Sequence, residues 1–273
     1  MMNQLTIEAG QIERLYWKDL WKFRDLFLFL AWRDLLVRYK QTVVGVAWSF
    51  IRPLLTMTVL TMVFGIIGRM PSGGVPYALV VFCGMLPWQF FSNAFSESGN
   101  SLVANANLIS KVYFPRLIIP ASSMIVSLVD FLISVVFLVG LMLWYRFVPP
   151  VNILLLPVFV MMVFVVSFGV GLCVSALTVQ YRDMRFIVQF VVQFGLYISP
   201  VGFLSAAVPE QYRFIYSLNP LVGVIDGFRW CVLGGQHELQ VSALLISLFW
   251  GLLLLVTGVW YFRRTERSFA DVI

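Results

Sequence analysis

Of the 273 residues, 60% are hydrophobic and only 12% charged, with a mean hydropathy of +0.90. Soluble domains carry about 45–50% apolar and about 25% charged residues, no single core of this size hides so much apolar surface, and disorder needs low hydrophobicity. A soluble globular domain and a disordered chain are therefore excluded; an all-α integral membrane protein remains, and its excess of 19 Lys+Arg over 13 Asp+Glu is read as an orientation and anionic-lipid signal rather than nucleic-acid binding.

In chain order, residues 1–40 are charged and amphipathic, which does not fit a cleavable signal peptide. Ile12, Tyr16, Leu20, Phe23, Phe27 and Leu30 recur every three or four residues, with Arg14, Lys18, Lys22 and Asp25 on another face. That is the period of a helix with one apolar side. Trp17, Trp21 and Trp32 suit the headgroup region. The expectation is a cytoplasmic N-terminus (1–42) with a helix lying on the membrane surface, the alternative being a helix packed on protein.

Residues 43–273 read as a six-span domain. Apolar runs cover about 43–67, 77–95, 117–145, 151–178, 186–206 and 241–262, each near the roughly 20 residues that a spanning helix needs. The third is long enough to be tilted or broken near Pro120. With the N-terminus cytoplasmic, 14 Lys/Arg fall in inside segments and four (Arg69, Arg146, Arg213, Arg229) in outside ones. This favours an even number of spans with both ends cytoplasmic. Residues 96–116 are then a cytoplasmic loop and 179–185 a short cytoplasmic turn. Residues 207–240 are an outside connection too apolar for a free loop, and Pro220 and Gly234-Gly235 break it into pieces too short to span. One or two short helices dipping into the outer leaflet or capping the bundle are expected there, covered by protein or a water-filled cavity.

Catalytic patterns are missing: the sequence has no GxSxG, HExxH or Walker A pattern, and its one histidine, His237, and three scattered cysteines form no metal-ligand spacing. No catalytic, cofactor or metal residue is assigned, and if the protein does energy-coupled work its nucleotide, ATP with Mg²⁺, must be bound by another chain. Two charges lie inside the runs. Asp130 reads as either a polar contact in a cavity or a bundle residue satisfied by a partner, since charge at membrane depth is costly. Arg52, before Pro53, either snorkels or captures a phosphate at the inner mouth. Arg38 and Lys40 join Arg52 as candidate phosphate contacts. Sugars stack their C–H faces on rings, so Trp48, Phe50, Trp88, Phe90 and Phe91, with Asp130, are the candidate channel lining, although each ring alone also fits a packing role.

Arg38-Tyr39-Lys40-Gln41-Thr42-Val43-Val44-Gly45-Val46-Ala47-Trp48 leading to Arg52-Pro53-Leu54 resembles the opening of the membrane subunit of polysaccharide ABC exporters, the type-2 ABC permeases for O-antigen, teichoic acid and capsule. The similarity continues in Asn107-Leu108-Ile109-Ser110-Lys111-Val112-Tyr113-Phe114-Pro115-Arg116, Gln180-Tyr181-Arg182-Asp183-Met184-Arg185, Ser199-Pro200-Val201, Asn219-Pro220 and Glu266-Arg267-Ser268-Phe269-Ala270-Asp271. The resemblance implies a homodimer of six-span subunits with two separate ABC ATPase subunits, in a bacterial inner membrane. It implies an ATPase-coupling loop including Asn107, Leu108, Ile109, Lys111, Tyr113 and Arg116. It implies an outer gate segment with Tyr212, Phe214, Tyr216, Asn219 and Pro220. The implied substrate is an undecaprenyl-pyrophosphate-linked glycan, O-antigen above capsule. A drug or small-lipid exporter on the same scaffold is the alternative; a membrane acyl- or glycosyltransferase would need clustered acids, histidines or a metal site at one face.

Overall fold

The computed structural model describes residues 14–40, 45–234 and 239–269. Ile12, the Gln41–Val44 part of the first motif, Gly235, His237 and the Ala270-Asp271 tail lie outside the described residues. All regular structure among the described residues is helical. In chain order the helices are α1 (Arg14–Lys22), α2 (Arg24–Lys40), α3 (Gly45–Leu60, running on as a π-helix Thr61–Ile67), α4 (Tyr77–Ala104), α5 (Ala106–Lys111), α6 (Ile118–Trp144), α7 (Leu156–Gln180, after a 3₁₀ turn Val151–Leu155), α8 (Met184–Ile198), α9 (Glu210–Ser217), α10 (Val222–Leu233) and α11 (Val241–Thr265). Five of these segments are long and apolar enough to cross a membrane: α3 with its π-helical extension, α4, α6, α7 and α11; α8 is a shorter apolar helix.

Helix α4 is the axle of the bundle. It packs on α6, α7 and α10, and 83% of its most apolar window is buried. A helix apolar on every side belongs in a core, and Phe82, Phe90 and Phe91 on different faces of α4 are all buried. The helix runs to Ala104, nine residues beyond the end that its hydropathy suggests. Ser98 and Ser101 are buried there, and the Ser101 hydroxyl donates to the carbonyl of Ser98 at 2.7 Å. Small side chains that bond to their own helix let neighbouring backbones come close, and Gly99 sits against Val174 of α7. The polar Ser96–Ser101 stretch that reads as the start of a loop is thus a helix interface.

The third run is one unbroken helix, because Pro120 falls in its first turn, where a missing N–H costs nothing. The fifth run ends at Ile198 rather than 206. Pro200 disfavours helical backbone at Ser199, which is extended. Its 15 residues reach about 22 Å at 1.5 Å each, less than the roughly 30 Å hydrocarbon core.

The N-terminal stripe is real, but it faces protein. Tyr16, Leu20, Phe23, Phe27 and Leu30 join a second core cluster with Leu102, Ile109, Phe114, Leu117, Phe262 and Phe269. The helix breaks at Phe23, and α2 runs along α6 instead of lying apart on a surface. Its other side carries exposed Trp17, Trp21, Leu28, Phe29 and Trp32. Of the two expectations for this helix, packing on protein describes its Tyr16–Leu30 stripe.

Candidate functional site

At the end of the bundle that holds α5, the loop expected to couple is built in two layers. Ile109, Phe114 and Pro115 point inward; Asn107, Ser110, Lys111, Val112 and Tyr113 are exposed, and Leu108 is half-buried. Ile109 is therefore a core residue and not a free docking side chain. The exposed apolar pair is Val112 and Tyr113, of which Val112 carried no role in the sequence reading.

This loop is tied to α1 and to the turn that follows α11. The Arg116 backbone N–H donates to Glu266 Oε1 at 2.9 Å, and the Arg116 guanidinium donates to the Glu266 carbonyl. Tyr16 of α1 donates its hydroxyl to the same carboxylate oxygen at 3.2 Å. Arg263 of α11 lies 3.5 Å over the Tyr16 ring and 4.0 Å from Glu266 Oε2. Burial, and then the Glu266 charge, push the Tyr16 phenol up, so it stays a neutral donor. At the loop's other edge Arg33 of α2 donates to Asn105 Oδ1 at 2.8 Å. A push on the exposed Val112–Tyr113 surface thus meets α1, α2 and α11 through hydrogen bonds rather than through a slack tether. Glu266 stands in the last motif of the sequence, but no local pattern brings residue 266 to residue 116.

The charges near mid-bundle form a second knot. Asp130 lies about 18 Å along α6 from its start at 1.5 Å per residue. Its Oδ2 is 2.6 Å from the Arg38 guanidinium, its Oδ1 accepts from Tyr39, and Arg38 also bonds Glu97 of α4 at 2.9 Å. Asp130 is therefore the partner-satisfied bundle residue. The hollow beside it, lined by Gln89, Asn93 and Ser134, has a volume of about 10 Å³, which holds one water at most. The three candidate phosphate contacts differ in situation: Arg38 is bridged between two carboxylates, whereas Lys40 and Arg52 are exposed.

The aromatic candidates divide in the same way. Trp88, Phe90 and Phe91 are 4%, 1% and 7% exposed, and Phe90 stacks on Phe164 and meets Phe131 edge-on. These three pack the core of the chain. Trp48 is exposed and Phe50 half-buried on α3. Helix α8 carries the bare surface that single-ring reasoning missed. Val188 is its one buried residue. Phe186, Phe190 and Phe194 form an exposed stripe, with the last two rings 4.3 Å apart. Beside them Gln189 and Gln193 are exposed at i, i+4, hence on one face, with Tyr197 one turn on. Two amides at that spacing inside an apolar run are a signal the sequence does carry, because an unpaired amide is costly in hydrocarbon.

At the opposite end, two motifs far apart in sequence meet. Asn219 donates to the Ser199 hydroxyl at 3.1 Å and accepts the Leu221 N–H at 3.0 Å, so the Asn219-Pro220 turn between α9 and α10 is pinned to the Ser199-Pro200 turn that ends α8. Arg229 of α10, 1% exposed, completes the clamp: it donates to the carbonyls of Val80 (3.0 Å), Phe203 (2.8 Å) and Val201 (2.6 Å). A Cβ at Gly84 would strike its guanidinium. The sequence reading counted Arg229 only as an outside charge. Tyr212 and Phe214 of α9 are exposed, and Tyr216 rests near Phe203, rings 6.2 Å apart. The segment after α8 is therefore two short helices, α9 exposed and α10 buried, as its broken apolar pattern suggests.

Known proteins are similar to this chain in sequence along nearly its whole length. The chain is 29% identical over 250 residues (91% of it and 95% of the relative) to the O-antigen export system permease protein RfbA of Klebsiella pneumoniae. It is 26% identical over 265 residues (94% and 98%) to the protein of the same name from Myxococcus xanthus. It is 24% identical over 244 residues (88% and 93%) to the polysialic acid transport protein KpsM of Escherichia coli. Residues 25–233, from α2 to the end of α10, match the model of the ABC-2 type transporter family, and the chain belongs to that family.

Proposed function

We propose that this chain is the permease subunit of an ATP-driven exporter that carries lipid-linked polysaccharide, O-antigen on undecaprenyl pyrophosphate, from the cytoplasmic side across a bacterial inner membrane. The observation that carries the reading is similarity over nine-tenths of the chain to permeases named for O-antigen export, above those named for polysialic acid. In this reading the chain works as a homodimer with two ATPase subunits that bind ATP and Mg²⁺, has six spans, the fifth made of the short α8 together with the turn that follows it, and keeps both termini in the cytoplasm, as the Lys/Arg bias favours.

Several features support a division of labour. Helices α3 and α8 have the barest faces, and a second copy set against them would enclose a passage between the two chains. Trp48, the Phe186–Phe194 stripe and the Gln189–Gln193 amides would line it, offering rings to sugar C–H faces and amides to hydroxyls. Arg52 and Lys40 are free to meet the pyrophosphate at the inner mouth, while Arg38 is held by carboxylates. An ATPase would dock on Lys111, Val112 and Tyr113 and move the loop with α1 and α11, bolted through Glu266, as one rigid body. The outer clamp of Asn219 and Arg229 would shift with α8. The test is deletion of the gene in its own host, with surface O-antigen measured by gel and antibody. Loss of surface glycan with lipid-linked chains accumulating inside is expected. Normal surface glycan, or purified transporter stimulated by hydrophobic drugs and not by lipid-linked glycan, would reject the reading.

A further inference from the structure

The last two turns of α11 and the exposed edge of α1 enclose a groove of about 750 Å³ that no transport step above uses. Its lining includes Trp17 and Trp260, Val256 and Val259, and Arg264 and Arg267. Trp260 and Arg264 share one face of α11, with Arg267 in the 3₁₀ turn Glu266–Ser268 that follows it, and the Arg264 guanidinium lies 5.4 Å from the Trp260 ring. The three arginines of this turn are not alike. Arg263 is taken up by the Tyr16 ring and Glu266, whereas Arg264 and Arg267 are exposed and have no carboxylate partner among the described residues. From this groove an exposed apolar stripe, Leu245, Phe249, Leu252 and Val256, runs back along α11. Helix α11 packs on α7, α10 and α9, so this face is not the one that α3 and α8 present.

We propose that the groove binds a phospholipid with an anionic head group, taken from the surrounding bilayer: phosphate against Arg264 and Arg267, glycerol region between the two tryptophans, and one acyl chain along the α11 stripe. Charge complementarity and the stripe select this occupant. A soluble phosphate compound would satisfy the arginines and leave the apolar lining uncovered. A protein partner would have to follow the stripe to membrane depth. Tryptophans and arginines at the end of a spanning helix are the side chains that suit the headgroup layer. Because Trp17 follows Tyr16, the bound lipid would hold α1 against α11 at the Glu266 knot and set how firmly the α5 loop is seated.

The proposal does not depend on what the chain exports, and is tested on the purified full-length protein in phosphatidylcholine vesicles by tryptophan quenching. Brominated phosphatidylglycerol should quench at a mole fraction about thirtyfold lower than brominated phosphatidylcholine, as two basic contacts imply. Arg264→Gln with Arg267→Gln should abolish that preference, Arg264→Lys with Arg267→Lys should keep most of it, and Trp17→Phe with Trp260→Phe should remove the phosphatidylglycerol-dependent quenching. Equal quenching of the wild type by both lipids, or a Gln/Gln variant that keeps the preference, overturns the site. So does competition by inorganic phosphate, which would make it a soluble-anion site. Loss of ATPase co-purification in the Gln/Gln variant with lipid preference intact would make the two arginines a protein contact and overturn it as well.

Discussion

Helices α4 and α8 are both apolar, and both hold glutamine: Gln89 in one, Gln189 and Gln193 in the other. One is walled in on every side by α6, α7, α8 and α10; the other has a single buried residue. In α4 Glu97 pairs with Arg38, and Ser92 and Ser101 bond their own helix. In α8 the amides face outward. Buried helices are held by fit and by complete hydrogen bonding, so substitutions there act on stability. A bare helix with amides at its middle contributes little to the fold of one chain, so substitutions there should act on what the chain meets.

The sharpest way to break the comparison is at Gly84 of α4, where any Cβ meets the Arg229 guanidinium. Gly84→Leu should cost more than about 3 kcal/mol, because the buried arginine has nowhere to retreat. Size-exclusion chromatography in detergent should show aggregated or absent protein. A Gly84→Leu variant with an unchanged melting temperature would mean that Arg229 does not lie against α4.

Arg229→Met is next. It keeps bulk but leaves the carbonyls of Val80, Val201 and Phe203 without their donor. A loss of about 3 kcal/mol is expected, read as a lowered melting temperature, with the end of α8 loosening first in hydrogen exchange. Protection that falls evenly over the whole chain would count against Arg229 as a local clamp.

Asp130→Asn should weigh less, about 1–2 kcal/mol, because Arg38 keeps Glu97 as a partner. Asp130→Leu should cost more than Asp130→Asn, since it also strands the Tyr39 hydroxyl. Equal melting temperatures for the two variants would contradict the bridging geometry.

The difference between the two helices also shows where sequence reading succeeds. Hydropathy located every long helix, because a run of twenty apolar residues has one physical meaning near a bilayer. It misplaced ends where small polar residues continue a helix, as at Ser96–Ala104, since Ser and Gly are read as loop formers although they are also good packing residues. It found the stripe of α1 and α2 but could not tell lipid from protein, because both reward the same apolar face. The rings of Trp88, Phe90 and Phe91 were indistinguishable from Trp48 by composition and separate only by burial. Arg229 and Glu266 were invisible as clamps, since their partners lie 26 to 149 and 150 to 250 residues away. The amides of α8 were legible, and their spacing alone sets them on one face.

The smallest effect on the fold is therefore expected from Gln189→Leu with Gln193→Leu. Both side chains are exposed in the single chain, so the melting temperature in detergent should move by no more than about 0.5 kcal/mol equivalent. If the face met only lipid, two leucines would be neutral or favourable, since leucine suits hydrocarbon and an amide does not. If it lines the route of a glycan, the loss of two amides at mid-helix should slow export by about tenfold, with surface O-antigen per molecule of permease as the readout. The Asn/Asn variant, which shortens each side chain and keeps the amide, should retain more export than Leu/Leu. Unchanged export in the Leu/Leu variant would assign α8 to lipid and leave the passage to α3. A folded but inactive Leu/Leu protein beside an unfolded Gly84→Leu protein would show that one chain keeps its structure and its work on different helices.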